Sequence, residues 1–188
     1  MKLVLASNSP RRKDILKEFG YDFTVKVSDF IEDDAYGDPI SVATRFAKGK
    51  ATSVFNLLKT ANPNVDFAVM GADTVVYYDG KILGKPKDVD DAYGTLKLLS
   101  GKTHCVVTGF AVISEKIRVF GYDISEVVFN TLTEKTITDY VATGKPLDKA
   151  GSYGVQDGFN IVKSVKGSVY NVIGLPIEKI KLVLDGLL

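Results

Sequence analysis

Residues 103–129 read THCVVTGFAVISEKIRVFGYDISEVVF, two β-rich runs (103–113 and 117–129) joined by Ser114-Glu115-Lys116. A connection that short makes the two runs lie antiparallel. On either side of this hairpin the chain alternates between helix and strand patterns. Asp66 to Met70 is a buried apolar run, followed by Gly71-Ala72-Asp73-Thr74 and a second hairpin turning at Asp79-Gly80. Lys2 to Ala6 is a buried strand stopping at Ser7-Asn8-Ser9, Phe23 to Val27 alternate as a half-buried strand would, and residues 161–171 are β-rich. Ser9 and Pro10 open a helix that Gly20 stops, and Asp38-Pro39 opens a long one to about Leu58. Asp88 caps a helix to Leu99, Thr133 starts one ending at Gly144, and Pro176 opens the last. No linker, repeat or low-complexity segment interrupts them. The expectation is a single α/β domain over residues 1–188 with a mixed β-sheet flanked by helices.

Composition narrows the chemistry. Lys plus Arg total 24 against 23 for Asp plus Glu, so no global field draws the chain to nucleic acid or to a membrane surface. Basic residues that meet a polyanion must do so locally. Cys105 is the only cysteine and His104 the only histidine, which excludes an internal disulfide, a thiolate cage and a His-based zinc site. His104 is expected to be a structural hydrogen-bonder beside the sheet. The apolar run Leu3 to Ala6 is too short for a signal-peptide core, and no stretch approaches a membrane span of about 20 apolar residues. Cytoplasmic placement is expected. Gly-x-Ser-x-Gly and Gly-x-x-x-x-Gly-Lys-Ser/Thr motifs are both absent, arguing against α/β-hydrolase and P-loop chemistry.

Four segments carry polar groups in patterns that suit phosphate chemistry. In Ser7-Asn8-Ser9-Pro10-Arg11-Arg12, free backbone N–H groups and two guanidiniums meet at a helix start, where a phosphate fits; a capped helix with two solvated arginines is the plainer alternative. Asp73, after a buried strand, is placed to hold Mg²⁺ or take a proton from water, unless it only caps a turn. Gly71 and Ala72 beside it would let a ligand approach the backbone. Lys50 and Lys85 are further cations, and Glu32 belongs to an acidic run with Asp29, Asp33, Asp34 and Asp38. In residues 148–158 three glycines accompany Gln156, whose amide can donate and accept at a base edge; a flexible loop is the competing view.

Together these segments resemble the Maf (septum-formation) family of nucleotide pyrophosphatases. The blocks are Ala6-Ser7-Asn8-Ser9-Pro10-Arg11-Arg12, Glu32, Lys50-Ala51, Gly71-Ala72-Asp73-Thr74-Val75-Val76 and Gly84-Lys85-Pro86. They continue through Leu99-Ser100-Gly101 with His104, Leu147 to Gln156, and Asn171-Val172-Ile173-Gly174-Leu175-Pro176. The resemblance implies a two-lobed fold around a central cleft, similar to inosine triphosphatase, and commonly a homodimer. It implies metal-dependent hydrolysis, with Mg²⁺ or Mn²⁺, of a nucleoside triphosphate to monophosphate and pyrophosphate. The Asp148-Lys149-Ala150-Gly151-Ser152-Tyr153-Gly154-Val155-Gln156 block resembles the branch acting on dTTP and UTP. Carried over, Asp73 is the proton acceptor, and Arg12, Thr74 and Gln156 set substrate preference. Ser7, Arg11, Lys50 and Lys85 hold phosphates, and Glu32 helps Asp73 hold the metal. A non-enzymatic nucleotide-binding regulator of septum formation would need the arginines but neither carboxylate. The chain departs from the family at Asn8, at Lys145 where an acid is usual, and at Asp157 where glycine is usual.

Overall fold

The 103–129 hairpin forms the spine of the sheet. In the computed structural model, which describes residues 1–33 and 37–188, its runs are β5 (Thr103–Ile113) and β6 (Arg118–Phe129), paired antiparallel from Thr103↔Val128 to Ile113↔Arg118. Asp34 of the acidic run lies outside those residues. Before the hairpin come β1 (Lys2–Leu5), α1 (Pro10–Glu18), β2 (Thr24–Val25), α2 (Pro39–Ala61), β3 (Phe67–Tyr78), β4 (Lys81–Leu83) and α3 (Val89–Leu99). After it come α4 (Glu134–Ala142), β7 (Val162–Lys166), α5 (Val169–Ile173) and α6 (Ile177–Leu184). The seven strands form one sheet in the order β2-β1-β3-β5-β6-β7, with β4 on β3. β1 pairs parallel with β2 and β3, and the other pairings are antiparallel. The sheet is mixed, as expected.

The helix starts follow the caps. Ser9, Asp38, Asp88 and Thr133 each accept a backbone N–H from the first turn, and Pro10 and Pro39 stand where the helix has no use for an N–H. Three expectations change. β2 has only two residues, both exposed, at a sheet edge that none of the described residues covers. β3 does not stop at Met70 but runs on through Asp73 and Thr74 to Tyr78. The β-rich run 161–171 divides into β7 and the helix α5, whose start is capped by Ser168.

On the sheet face opposite α2 the long strands carry the chain across two cores, and two further clusters lie beneath α2. One end of the sheet packs Leu3, Leu5, Met70 and Val112 against Ile15 and Leu16 of α1 and Ile177 and Ile180 of α6. The other end packs Val76, Val106 and Val127 against Leu96 of α3 and Tyr140 of α4. Asp73 and Thr74 sit on β3 where one core gives way to the other.

α2 crosses β3 and β5 with Ala43, Ala47 and Ala51 toward the sheet, one small residue per turn. Two glycines let it come close: a Cβ on Gly71 would meet the Ala47 carbonyl at 2.4 Å, and one on Gly109 the Ala43 carbonyl at 2.4 Å. The open side of Gly71 therefore belongs to α2 and not to a ligand, and Ala72 is buried in the core. Gly109→Ala would force that helix off the sheet at a cost of about 1–3 kcal/mol. The close contact sets Lys50, beside Ala51, over the carboxylate of Asp73.

Candidate active site

A cleft of about 630 Å³ opens between the two cores, within the size range of small-ligand sites. Its walls are the Ser7–Arg12 turn, Glu32, Lys50, Asp73 and Thr74, Lys85, residues 148–150 and 153–157, and residues 172–174. Each residue to which the resemblance gave a site role lines it: Ser7, Arg11, Arg12, Glu32, Lys50, Asp73, Thr74, Lys85 and Gln156.

Arg12 is buried, not solvated. Its Nε donates to the Gly174 carbonyl at 2.8 Å, Nη1 to Ser7 Oγ at 3.0 Å and Nη2 to Thr74 Oγ1 at 3.2 Å. All three partners are neutral, so the fork is fixed in place while, among the described residues, its charge stays unpaired by direct contact. Burial pulls the guanidinium below its ordinary value, and Asp73 partly restores it. Gly174 ends α5 with φ +119°, which turns its carbonyl toward Arg12.

Arg11, one residue earlier, is half-exposed and takes the opposite kind of partner. Its Nη1 donates to Asp148 Oδ2 at 2.8 Å and its Nη2 to the Asp148 carbonyl at 3.3 Å, bridging the two sides of the cleft mouth. Lys149 Nζ lies 2.8 Å from the other Asp148 oxygen, and these cations hold that carboxyl low against a burial that raises it.

Opposite Arg12 is a charged corner. Lys50 Nζ stands 2.6 Å from Asp73 Oδ1 and 2.6 Å from Glu32 Oε1. Burial pushes the Asp73 carboxyl above its ordinary value, with Lys50 and Arg12 pulling it back and Glu32 adding to the rise. Oδ1 is committed to Lys50, whereas Oδ2 has no hydrogen-bond partner among the described residues. Two carboxylates and one ammonium leave the corner one negative charge in excess.

Among the described residues no three His, Cys, Asp or Glu side chains gather to hold a metal. Two carboxylates nevertheless converge on one point of positive charge, the Lys50 ammonium. Mg²⁺ needs little more from protein when substrate phosphates and water complete its shell. The donor set fits a hard divalent cation bound together with a polyphosphate.

Gln156 is exposed on a loop that is not loose. Residues 145–148 and 150–152 form two 3₁₀ turns, and a Cβ on Gly151 (φ +67°) would meet Val76 at 2.8 Å. Tyr140 Oη donates to Asp157 Oδ2 at 2.5 Å and accepts from Gly154 N at 2.9 Å. His104 is buried in β5 with Nε2 2.8 Å from Tyr153 Oη, the structural role expected of it. Lys85 is exposed after β4, and among the described residues no helix is long and apolar enough to cross a membrane.

Sequence reasoning passed over Asp148, Thr108 and Asn171 as functional. Asn171 is fully buried and reaches β5 and β6 at once, a pairing across 63 and 46 residues that no local pattern announces.

The fold and the site define a mixed-sheet α/β protein whose cleft sets a buried guanidinium against a carboxylate pair, an arrangement of opposite charges suited to a phosphorylated ligand. The chain belongs to the Maf-like protein family, which it matches over residues 2–187. It is 45% identical to a dTTP/UTP pyrophosphatase of Bacillus cereus (strain B4264) over 181 residues, 95% of this chain and 92% of that protein. It is 46% identical to a dTTP/UTP pyrophosphatase of Bacillus cytotoxicus, with the same coverage. A third relative of that name, from Bacillus thuringiensis subsp. konkukian, is 45% identical over the same shares.

Proposed function

We propose that the protein hydrolyses dTTP and UTP to the nucleoside monophosphate and pyrophosphate. The observation that carries this reading is Asp73, a carboxylate with one oxygen committed to Lys50 and the other open in a cleft that also holds Arg12.

The side chains divide the work. Ser7, Arg11, Arg12, Lys50 and Lys85 bind the phosphates, and Arg12 in its fixed fork needs no reorganisation as charge builds on the leaving oxygen. Asp73 Oδ2 accepts a proton from the attacking water. The water oxygen bonds to one phosphorus of the α–β bridge, the bridging oxygen departs with the other, and pyrophosphate leaves. A carboxyl held above its ordinary value is a stronger base than an exposed aspartate once ionised. Glu32 and Asp73 would hold Mg²⁺ or Mn²⁺, whose charge neutralises the phosphates and lowers the pKa of bound water. Gln156 and Thr74 face the nucleoside. The resemblance also implies a homodimer, which sedimentation velocity would test.

The test is pyrophosphate release from a panel of nucleoside triphosphates with Mg²⁺ or Mn²⁺. dTTP and UTP should be turned over fastest, and Asp73→Asn should lower kcat by about 10³-fold or more while leaving nucleotide affinity within a few fold. Binding without turnover of any member would favour the non-enzymatic regulator. Near-full activity in Asp73→Asn would remove it as the base.

A further inference from the structure

Thr74 shares its hydroxyl with a buried chain of hydrogen bonds that begins two strands away, at Ser125 of β6 on the same face of the sheet. Ser125 Oγ donates to the Ser168 carbonyl at 2.9 Å, so towards Asn171 Nδ2, 3.0 Å away, it can only accept. The same amide nitrogen donates to the Val106 carbonyl at 3.1 Å, and Asn171 Oδ1 accepts from Thr108 N at 3.2 Å. The amide is thus oriented by chemistry at both ends. Thr108 Oγ1 donates its one proton to the Asn171 carbonyl at 2.8 Å. Having no second proton, it must accept in its 3.0 Å contact with Thr74 Oγ1, its cross-strand partner. Thr74 therefore spends its proton on Thr108 and one lone pair on Arg12 Nη2. Only a lone pair remains for the cleft.

Ser7, on the other side of Arg12, comes out with the opposite polarity. Its Oγ accepts from Ser9 N at 3.2 Å and from Arg12 Nη1 at 3.0 Å, and its proton has no acceptor among the described residues. Ser7 can donate to a phosphate oxygen; Thr74, with no proton to give, cannot.

We propose that Thr108 and Asn171 are positioning residues that make Thr74 an acceptor-only contact, so that the cleft selects a nucleoside presenting a hydrogen-bond donor there. Resting on the dTTP/UTP reading, the donor is the ring imide N–H of uracil or thymine, or a sugar hydroxyl. Cytosine presents a lone pair at the equivalent ring position, which would face the Thr74 lone pair and be rejected.

Steady-state kinetics on wild type, Thr108→Val and Thr108→Ser with UTP, CTP and 3′-deoxy-UTP test this. Valine keeps the shape but frees the Thr74 proton to turn toward the cleft; serine keeps the relay. Wild type should prefer UTP to CTP by about tenfold or more in kcat/KM. Thr108→Val should erase most of that preference through KM for CTP, and Thr108→Ser should restore it. If the sugar hydroxyl is the donor, the preference over 3′-deoxy-UTP collapses instead and that over CTP persists. Both ratios unchanged within about twofold in Thr108→Val, or lost equally in Thr108→Ser, would overturn the relay. If wild type releases pyrophosphate from none of the three, the activity reading fails, and calorimetric affinity ratios for the same nucleotides then decide the relay. Absence of binding to wild type would sink both.

Discussion

Arg12 and Lys50 are cations in the same cleft, yet they are held by opposite kinds of partner. Arg12 is gripped by a carbonyl and two hydroxyls, so its position is fixed and its charge is left for a ligand. Lys50 is gripped by two carboxylates, which more than cancel it. One side of the cleft thus carries unpaired positive charge, while on the other Lys50 can turn to phosphate only as a cation takes over its two carboxylates. The metal-bound triphosphate of the proposed reaction would satisfy both at once, which neither a bare phosphate nor a bare metal would do. The pair Arg11–Asp148 lies between these extremes: part-exposed, mutually neutral and worth little to stability.

Replacing Arg12 should break the anionic side most severely. Arg12→Lys keeps the charge but cannot reach Gly174, Ser7 and Thr74 together, and its compact ammonium cannot fork onto phosphate. A loss of about 10²–10³-fold in kcat/KM is expected, measured with dTTP and UTP. Retention of near-full activity would mean that charge alone matters there and that the fork of hydrogen bonds is structural.

On the opposite side, Lys50→Met should shift the pH profile as well as the rate. Asp73 must be ionised to accept a proton, and its carboxyl is already raised by burial. Activity should therefore fall, as pH drops, earlier than an ordinary aspartate would dictate. Lys50 is the largest influence holding that carboxyl down, so Lys50→Met should move the acid limb of kcat/KM to higher pH and lower its plateau by about 10–100-fold. An acid limb unmoved by this change would assign it to a group other than Asp73.

Acid unfolding has to be separated from that limb, and His104 is the group to watch. Burial lowers it from 6.5 to about 4. Between those values the unfolded chain binds the proton that the folded one refuses. The stability is fully present above 6.5 and is lost as pH falls toward 4, by up to about 3 kcal/mol. Urea melts across that window should show the loss, and His104→Gln should flatten it without moving the acid limb of kcat/KM.

Much of this fold is legible in the sequence. The hairpin at 103–129 dictated antiparallel pairing, and the caps Ser9, Asp38, Asp88 and Thr133 marked helix starts because capping is local chemistry. α5 was hidden because Val169, Val172 and Ile173 are β-branched residues that read as strand; tertiary anchoring through Asn171 holds the helix. Asp73 and Arg12 stood out by type and place. The polarity of Thr74 did not, since it depends on Thr108 and Asn171, which reach it from other parts of the chain.

The smallest effect concerns the loop that carries Gln156 between the two walls. Asp157, where the family pattern has glycine, is tied to Tyr140 Oη at 2.5 Å and lies 3.4 Å from Lys149 Nζ. That contact also burdens the phenol, which burial and the carboxylate together raise well above its ordinary value. An anchored Asp157 holds Gln156, the residue before it, at the cleft edge. Asp157→Gly should then raise KM for dTTP and UTP alike by about 2–5-fold, roughly one hydrogen bond's worth, with kcat unchanged. Asp157→Asn, which can still accept from Tyr140, should sit between the two. If Asp157→Gly lowered kcat instead and altered the metal requirement, the carboxylate would belong to the cation side of the cleft, and the division between the two walls would have to be redrawn.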